Sequence, residues 1–408
     1  MQQPTPRQRM LTAMRNEIPD RVPVCPDISN MIPARLTGRP FWEIYLHDNP
    51  SLGEAYLNTI KALEMDGWYL YGHVLGGNGE FPLDAELVRG LGYDTFFVPS
   101  ELVNRDVRQV NDDEAQEQLI VTTPLGDLET TIKVFRSTPP WDVSNLIKDI
   151  TRDWPRLRWL MGEDWHWDTK CYDQDKVGEC AVYALQVHTF IDFWDGVRDG
   201  QSDKMIFDFY DSPDMMTEIF EYFTAFTLSR VEGLINAGVD EILVQGSNSS
   251  MSLINPDIYR QYVLPLNIEI CKLANERNCI VHLHTCGRSK LVVEMNMAEA
   301  SFNVIEPLEK PPGGDVDIAD IKRRFGHRVA LKGNLLTSGN LLHKTPADVE
   351  EEVLETLQAA GRGGGFILST GDQVGGNTPL ENLKAMIDAG RKYGRYDAEG
   401  NLPYLPSK

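Results

Sequence analysis

The sequence predicts an α/β fold, namely a (β/α)8 (TIM) barrel with an N-terminal extension and an inserted β-hairpin cap. Short apolar runs alternate with longer amphipathic stretches through the second half of the chain. This alternation is typical of repeated βα units that form a parallel sheet. The strand-like runs total eight, which is the strand number of such a barrel. They are residues 22–24, 67–71, 181–185, 242–244, 279–284, 302–305, 329–331 and 366–368.

Helical segments separate these runs in the second half of the chain. Residues 207–237 are predicted as one helix, with Ser212-Pro213 as its start signal and Gly238 as its stop. Asn255-Pro256 opens another helix, which is expected to reach about Arg277. Each predicted helix leads into the next predicted strand, as the crossovers of a barrel require.

The segment between the second and third predicted strands is too long for one crossover. It exceeds an ordinary connection by roughly a hundred residues. Within it, residues 118–134 have the alternating pattern of a β-hairpin that turns at Leu125-Gly126-Asp127. We therefore interpret residues 74–180, with approximate ends, as a cap inserted over the mouth of a single barrel domain that spans residues 1–408.

Composition and charge exclude several classes of protein. The 408 residues are 42% hydrophobic and 25% charged, which is typical of a globular chain. The 39 Lys and Arg residues against 61 Asp and Glu residues give a net charge of −22, which would repel a nucleic acid. No apolar run approaches the roughly 18 residues of a membrane span. The six scattered cysteines indicate reduced thiols, so we expect a soluble cytoplasmic protein. A homodimer is possible, and the sequence does not determine the oligomeric state.

Polar residues follow the predicted strands at the points where the strands end. In a barrel these positions converge on one mouth, although any one of them could equally be a loop or capping residue. The catalytic candidates, for proton transfer or substrate orientation, are His73, His188 and Asp27. The candidate substrate-binding residues are Asn248, Asn334, Glu306 and Tyr71.

The most specific local pattern is His282-Leu283-His284-Thr285-Cys286-Gly287. Alternate residues of a strand share one face, so His284 and Cys286 could reach the same metal ion. Zinc binds imidazole nitrogen and thiolate sulfur, and a catalytic zinc site uses about three protein ligands. The alternative is that Cys286 is a plain buried hydrophobic residue, and His282 is expected to be packed or to support a ligand.

A third ligand should come from another strand end. Asp372, just after the last predicted strand, is the best candidate, and Glu306 is the second. Carboxylate oxygen is an acceptable zinc ligand. The predicted metal site is therefore His284, Cys286 and Asp372.

Five motifs together resemble the uroporphyrinogen decarboxylase superfamily, from about Arg7 to Tyr396. The resemblance implies a (β/α)8 barrel, in agreement with the strand count. The motifs are Arg7-Gln8-Arg9-Met10-Leu11, Pro19-Asp20-Arg21-Val22-Pro23-Val24, His284-Thr285-Cys286-Gly287, Lys332-Gly333-Asn334 and Thr378-Pro379-Leu380-Glu381-Asn382-Leu383.

The superfamily contains decarboxylases and zinc-dependent methyltransferases that work with corrinoids. Its decarboxylases place an arginine-rich segment after the first strand, but residues 27–33 here contain no arginine, and Arg35 and Arg39 do not restore the pattern. The methyltransferase branch carries His-x-Cys and a further cysteine shortly before the Thr-Pro-Leu-Glu-Asn-Leu segment. That last cysteine falls on Asp372 here, so an aspartate replaces a thiolate.

The resemblance thus implies a zinc enzyme that moves a methyl group to or from the cobalt of a corrinoid (cobalamin) on a partner protein. An oxygen ligand at Asp372 makes the site harder and more electrophilic, which favours activation of an oxygen leaving group. We therefore expect a methyltransferase that demethylates a methoxylated, aromatic substrate onto a Co(I) corrinoid protein. A methylcobamide:thiol methyltransferase and a decarboxylase remain the alternatives.

Overall fold

The computed structural model describes residues 3–70, 75–78, 86–87, 97–98, 100–168 and 172–406. Two predicted site residues, Tyr71 and His73, lie outside the described residues. The described strands are β1 (Gly67–Tyr69), β2 (Leu75–Asn78), β3 (Glu86–Leu87), β4 (Phe97–Val98), β5 (Val103–Gln109), β6 (Glu114–Thr123), β7 (Gly126–Phe135), β8 (Trp141–Ser144), β9 (Trp165–Asp168), β10 (Ala181–His188), β11 (Glu241–Gln245), β12 (Ile280–Thr285), β13 (Val304–Pro307), β14 (Ala330–Leu335) and β15 (Phe366–Thr370).

The α-helices occur before, between and after these strands. They are α1 (Pro6–Met14), α2 (Met31–Thr37), α3 (Phe41–His47), α4 (Leu52–Leu63), α5 (Ile150–Met161), α6 (Gln174–Val177), α7 (Phe190–Val197), α8 (Gln201–Asp211), α9 (Pro213–Ala237), α10 (Pro256–Tyr262), α11 (Leu264–Glu276), α12 (Lys290–Glu299), α13 (Ile318–Phe325), α14 (Asn340–His343), α15 (Pro346–Thr356) and α16 (Leu380–Tyr393). Among the described residues, no helix has both the length and the apolar character needed to cross a membrane.

The central sheet is parallel and curled, and the α/β prediction is confirmed. Its seven strands are ordered β1-β10-β11-β12-β13-β14-β15, so each strand pairs with the next along the chain once the inserted segment is left out. The strands are almost wholly buried, as expected of a sheet covered by helices. Their carboxyl ends therefore meet at one edge of the sheet, where His188, His284 and Glu306 lie.

The first predicted strand, residues 22–24, is not a regular strand. Val24 forms only a single parallel bridge with Leu368 of β15, and its carbonyl accepts a hydrogen bond from the Asp66 amide at 3.0 Å. Pro23 and Pro26 flank this bridge, and proline has no N–H to extend a ladder. Residues 23–25 nevertheless form hydrogen bonds with β15 on one side and with Asp66, the residue before β1, on the other.

Two predicted helices are each divided into two. The segment 207–237 contains the end of α8 and the whole of α9, because Pro213 starts a new helix and cannot continue the preceding one. The segment after Asn255 is likewise divided into α10 and α11, with Pro265 in the first turn of α11. In both cases the apolar periodicity predicted one continuous helix, but a proline interrupts it.

The inserted segment contains the predicted hairpin within a larger antiparallel sheet of order β5-β6-β7-β8. Thr123 pairs with Gly126, so the turn consists of Pro124 and Leu125 and not of the predicted residues 125–127. Gly126, with φ +116°, has a backbone conformation that favours glycine and so serves as the first residue of β7. The prediction of the hairpin was therefore close, and its turn was placed one residue too late.

This four-stranded sheet is connected to the loops that follow the parallel strands. The Asn145 side chain donates hydrogen bonds to the carbonyls of Asp195 and Arg198, at 3.4 and 3.3 Å. Asp195, in α7 just after β10, accepts a hydrogen bond from the Asn248 side chain at 2.9 Å. Asn248 itself follows β11. The residue that follows the inserted sheet thus contacts α7 and its C-terminal end, on the carboxyl side of β10, while the function of the inserted sheet as a cap stays a prediction.

Candidate metal centre

Strand β12 places two of the predicted metal ligands side by side. His284 is the last residue but one of β12, and Cys286 follows the strand directly. The His284 Nε2 atom lies 2.8 Å from the Cys286 Sγ atom, and the His284 ring is almost fully buried. A His-x-Cys spacing at the end of a strand therefore brings an imidazole nitrogen and a sulfur together, as period-two alternation requires.

Asp372 completes a group of three potential ligands. It follows β15, and its carboxylate, the His284 imidazole and the Cys286 sulfur offer atoms that all lie within 4.8 Å of one another. Asp372 has φ +136°, a backbone conformation that residues other than glycine rarely adopt. Such strain is often retained at functional sites, where it aims a side chain. Among the residues that the structure describes, this is the one group of three with metal-ligand geometry.

The donor set fits a zinc ion. Two ligand atoms on a tetrahedral zinc lie roughly 3.5 Å apart, given Zn–N and Zn–S bonds of about 2.0 and 2.3 Å. The three donor atoms here are already within 4.8 Å, so small side-chain adjustments are sufficient. Nitrogen, sulfur and oxygen are all accepted by zinc, and three protein ligands leave one position for a substrate.

Glu306 and Lys332 lie behind His284. Glu306, at the carboxyl end of β13, has its Oε1 atom 2.9 Å from the His284 Nδ1 atom. The other oxygen of Glu306 accepts a hydrogen bond from Lys332 of β14, and both residues are buried. A carboxylate on Nδ1 leaves Nε2 as the ligating atom, which is the usual arrangement around metal-bound histidine. Both oxygens of Glu306 are thus engaged within the protein, whereas an Asp372 oxygen belongs to the ligand group.

The titration of this group is set by burial and by its internal contacts. Burial raises the pKa of Cys286 to about 11, although the His284 ring lowers it in part. Burial by itself would lower the pKa of His284, but Cys286 and Glu306 raise it well above its ordinary value. Burial by itself would raise the pKa of Glu306, but Lys332 and His284 hold it far below its usual range. Metal binding would displace protons from the ligands, so metal affinity would increase with pH.

Asp27 lies at the same edge of the sheet. Its backbone N–H donates to Thr370 Oγ1 of β15 at 3.0 Å, and its carboxylate accepts from the Ser29 amide at 2.9 Å. Burial raises the pKa of Asp27 to about 6, Lys332 lowers it, and the carboxylates of Glu306 and Asp372 raise it further. The carboxyl group of Asp27 therefore has a pKa closer to neutral than that of an ordinary aspartate, which suits a proton donor or acceptor.

Three further predicted residues, His188, Asn248 and Asn334, belong to the described part of the chain and have different surroundings. His188 is the buried last residue of β10. The Asn248 side chain donates a hydrogen bond to Asp195 at 2.9 Å. Asn334 is buried in β14 and donates to the Leu308 carbonyl at 2.8 Å, so its amide group holds the loop after β13. Their substrate contacts stay predictions, as do those of Tyr71 and His73.

Three interior residues near the site were not among the predicted catalytic, substrate-binding and metal-binding residues, namely Lys332, Glu241 and Trp68. The Lys332 ammonium lies 3.6 Å from the centre of the Trp68 ring, and the Trp68 Nε1 donates to Glu241 at 2.9 Å. Glu241 also contacts the Nδ1 atom of His282. The sequence contained a signal for two of them, because Lys332 directly follows the apolar run 329–331 and Glu241 directly precedes the apolar run 242–244. Buried charges of this kind require partners.

Comparison with known proteins supports the predicted family. Residues 196–393 match the family model described as Uroporphyrinogen decarboxylase (URO-D). The methylcobamide:CoM methyltransferase MtaA of Methanosarcina barkeri is 28% identical over 180 residues, which are 44% of this chain and 50% of that protein. The uroporphyrinogen decarboxylase of Coxiella burnetii is 25% identical over 203 residues, 47% of this chain and 53% of that protein. The chain thus spans about half the length of these curated relatives.

A solved structure extends the likeness to the whole fold. A methyltransferase from Methanosarcina mazei superposes with a TM-score of 0.62, covers 96% of this chain and 99% of its own, and shares 20% sequence identity. At this identity the likeness concerns the fold. The inserted segment and the parallel sheet therefore both lie within one shared architecture. The stretch that matches the Uroporphyrinogen decarboxylase (URO-D) family model, residues 196–393, supplies all three potential metal ligands.

Proposed function

We propose that this chain transfers a methyl group between a small substrate and the cobalt of a corrinoid on a partner protein, with zinc held by His284, Cys286 and Asp372. The observation that carries the proposal is the convergence of these three donors within 4.8 Å. A relative named as a methylcobamide methyltransferase supports it independently. Zinc would act as a Lewis acid that polarises the substrate atom bound to the methyl group.

We further propose that the methyl donor is a methoxylated compound, in particular an aromatic methyl ether. Asp372 supplies oxygen where a second thiolate would make the site softer, and a harder site favours an oxygen ligand. In the balanced reaction, the Co(I) electron pair forms the bond to the methyl carbon. The C–O bond breaks, its electron pair stays on oxygen, and a proton converts the product into a phenol.

The residues around the ligands have distinct functions in this proposal. Glu306 orients the His284 ring through Nδ1. Asp27, whose pKa is raised to about 6 by burial, supplies the proton to the leaving oxygen. His188, His73, Asn248, Asn334 and Tyr71 are candidates for substrate contact around the mouth.

The proposal is tested by metal content and by methyl transfer. Protein purified without chelator should contain about one zinc per chain. The zinc-loaded protein should demethylate a methoxybenzoate with a reduced corrinoid protein, or with free Co(I) cobalamin, as acceptor. Formation of methylcobalamin and of an equal amount of phenol is the expected result. A well-folded protein that binds no added zinc, or one that binds zinc and never forms methylcobalamin from a panel of methoxyaromatics, would refute this function.

A second candidate function is methyl transfer from methylcobamide to a thiol. The name of the relative from Methanosarcina barkeri favours it, because that protein is a methylcobamide:CoM methyltransferase. The two functions are separated by the direction of the assay. Consumption of methylcobalamin that depends on coenzyme M, without any demethylation of methoxyaromatics, would assign the thiol function. Release of CO2 from a tetrapyrrole by metal-free protein would instead assign a decarboxylase.

A further inference from the structure

A buried ion pair connects His284 with the interior of the sheet. The Lys332 side chain is completely buried and donates to the Glu306 oxygen that faces away from His284. The opposite oxygen of the same carboxylate lies 2.9 Å from His284 Nδ1. Lys332, Glu306 and His284 come from three adjacent strands, β14, β13 and β12. The order of the sheet therefore aligns the ammonium, the carboxylate and the imidazole in one row.

Lys332 is itself held from a second direction. Its ammonium lies 3.6 Å from the centre of the Trp68 ring, on the far side of the curled sheet, in β1. The Trp68 Nε1 donates to Glu241 at 2.9 Å, which fixes the ring. A cation over an aromatic face is attracted by the ring, most strongly where water is excluded. Lys332 is thus restrained between an aromatic face and a carboxylate.

This arrangement determines how Glu306 can face His284. A carboxylate in a buried site can rotate about its terminal bond unless both oxygens are held. Lys332 holds one oxygen of Glu306, and the other is then directed at the Nδ1–H group of His284. With Nδ1 as the donor, the ring presents Nε2 toward Cys286, from which it lies 2.8 Å.

We propose that Lys332 is a positioning residue that holds Glu306 against the Nδ1–H group of His284 and so keeps Nε2 directed at the metal. The proposal rests on the proposed zinc site and adds a residue that acts on a metal ligand through Glu306. Loss of a partner behind a metal ligand typically weakens metal binding by about 10-fold to 100-fold. Lys332 acts through Glu306, so we expect about a 10-fold weakening on its removal.

The test replaces Lys332 with methionine, which keeps the chain length and the contact with Trp68 but removes the ammonium. The zinc dissociation constant, measured by competition with a chelator, should increase about 10-fold. The Nδ1–H proton of His284, observed by NMR in the zinc-loaded, 15N-histidine-labelled protein, should lose the low-field shift of a proton bonded to carboxylate. Lys322→Met is the matched control, because Lys322 donates to the Gly364 carbonyl before the start of β15, at the opposite end of that strand from Asp372.

Each outcome separates the two proposals. Unchanged zinc affinity and an unchanged Nδ1–H resonance in folded Lys332→Met would overturn the role of Lys332 and leave the zinc site intact. Absence of zinc binding in the wild type would refute the proposed function, and the resonance would then be compared in the metal-free proteins. If Lys332→Met does not fold, Lys332→Gln keeps a hydrogen-bond donor without the charge and should give a smaller change of the same sign. A wild-type His284 with no Nδ1–H bond to carboxylate would overturn the proposal without any variant.

Discussion

Strand β12 carries two histidine–glutamate pairs that are two residues apart and have different surroundings. His284 Nδ1 faces Glu306, and His282 Nδ1 faces Glu241. The Nε2 atom of His284 has Cys286 at 2.8 Å, whereas within the described part of the chain the Nε2 atom of His282 has no hydrogen-bond partner. The His282 ring packs against Trp68, with 5.3 Å between the ring centres.

The difference between the pairs is one of position along the strand. His284 lies at the carboxyl end, where the loops after β12 and β15 bring Cys286 and Asp372 within reach. His282 lies one layer deeper, where every neighbouring position belongs to a strand. The same pair of residue types thus supports a metal ligand in one layer and interior packing in the next. The following predictions test this division.

The largest expected effect separates the two histidines. His284→Ala should abolish zinc binding and all methyl transfer, because it removes a ligand from a site that has three. His282→Gln, which keeps a polar group of similar size, should retain about one zinc per chain. Metal analysis of both purified variants measures the difference. Equal loss of zinc in the two variants would show that both histidines belong to one metal site and would remove the distinction between layers.

The next effect ranks the two carboxylates near His284. Asp372→Ala should reduce zinc affinity by more than about 100-fold, and Glu306→Ala by about 10-fold to 100-fold, because Asp372 is the proposed ligand and Glu306 only orients one. Chelator competition measures both values. Asp372→Asn serves as the control for size, since it removes the charge and leaves the shape. The reverse ranking would make Glu306 the third ligand.

The layer at the carboxyl end of the sheet, which contains His284, was more predictable from sequence than the deeper layer, which contains His282. His284 and Cys286 are two residues apart on one strand, so period two alone brings them to one face. Asp372 was predicted because it follows the last predicted strand, at the position where the resembled family carries a cysteine, and its carboxylate does lie beside them. Lys332, Trp68 and Glu241 come from three different strands, and their contacts depend on the order and register of the curled sheet. The order and register of the strands cannot be predicted from the spacing of residues along the sequence.

The main errors in the fold have local physical causes. Apolar periodicity continued through Ser212-Pro213 and through Pro265, although proline ended one helix and began the next. The segment 22–24 had the apolar character of a strand, but its prolines reduced it to a single bridge. In each case proline, which has no N–H group, outweighed a pattern of apolar residues.

The pH dependence of methyl transfer tests Asp27. If Asp27 supplies the proton, kcat should fall above about pH 6, approaching tenfold per pH unit, because burial raises the pKa of Asp27 to about 6 and the protonated form disappears above it. Asp27→Asn should have a lower kcat that no longer shows this decline. Zinc affinity also changes with pH, so the rates must be measured at saturating zinc. A decline of the same size in Asp27→Asn would exclude Asp27 as the donor.

Substitution of Glu241 should have the smallest effect on the metal site. It is also the clearest test of the deeper layer, in which Glu241 contacts His282 and Trp68. Glu241→Gln removes the carboxylate that accepts from Trp68 and contacts His282 in a region without solvent. The free energy of unfolding should decrease by about 1–3 kcal/mol, the usual cost of a disturbed buried hydrogen bond, and urea unfolding of the metal-free protein measures it. Zinc affinity should stay within about threefold of the wild type, since Glu241 contacts no ligand and its effect must pass through Trp68 and Lys332. A large loss of zinc affinity would instead mean that the two layers act as one unit, and the function of His284 would then depend on the packing of His282 beneath it.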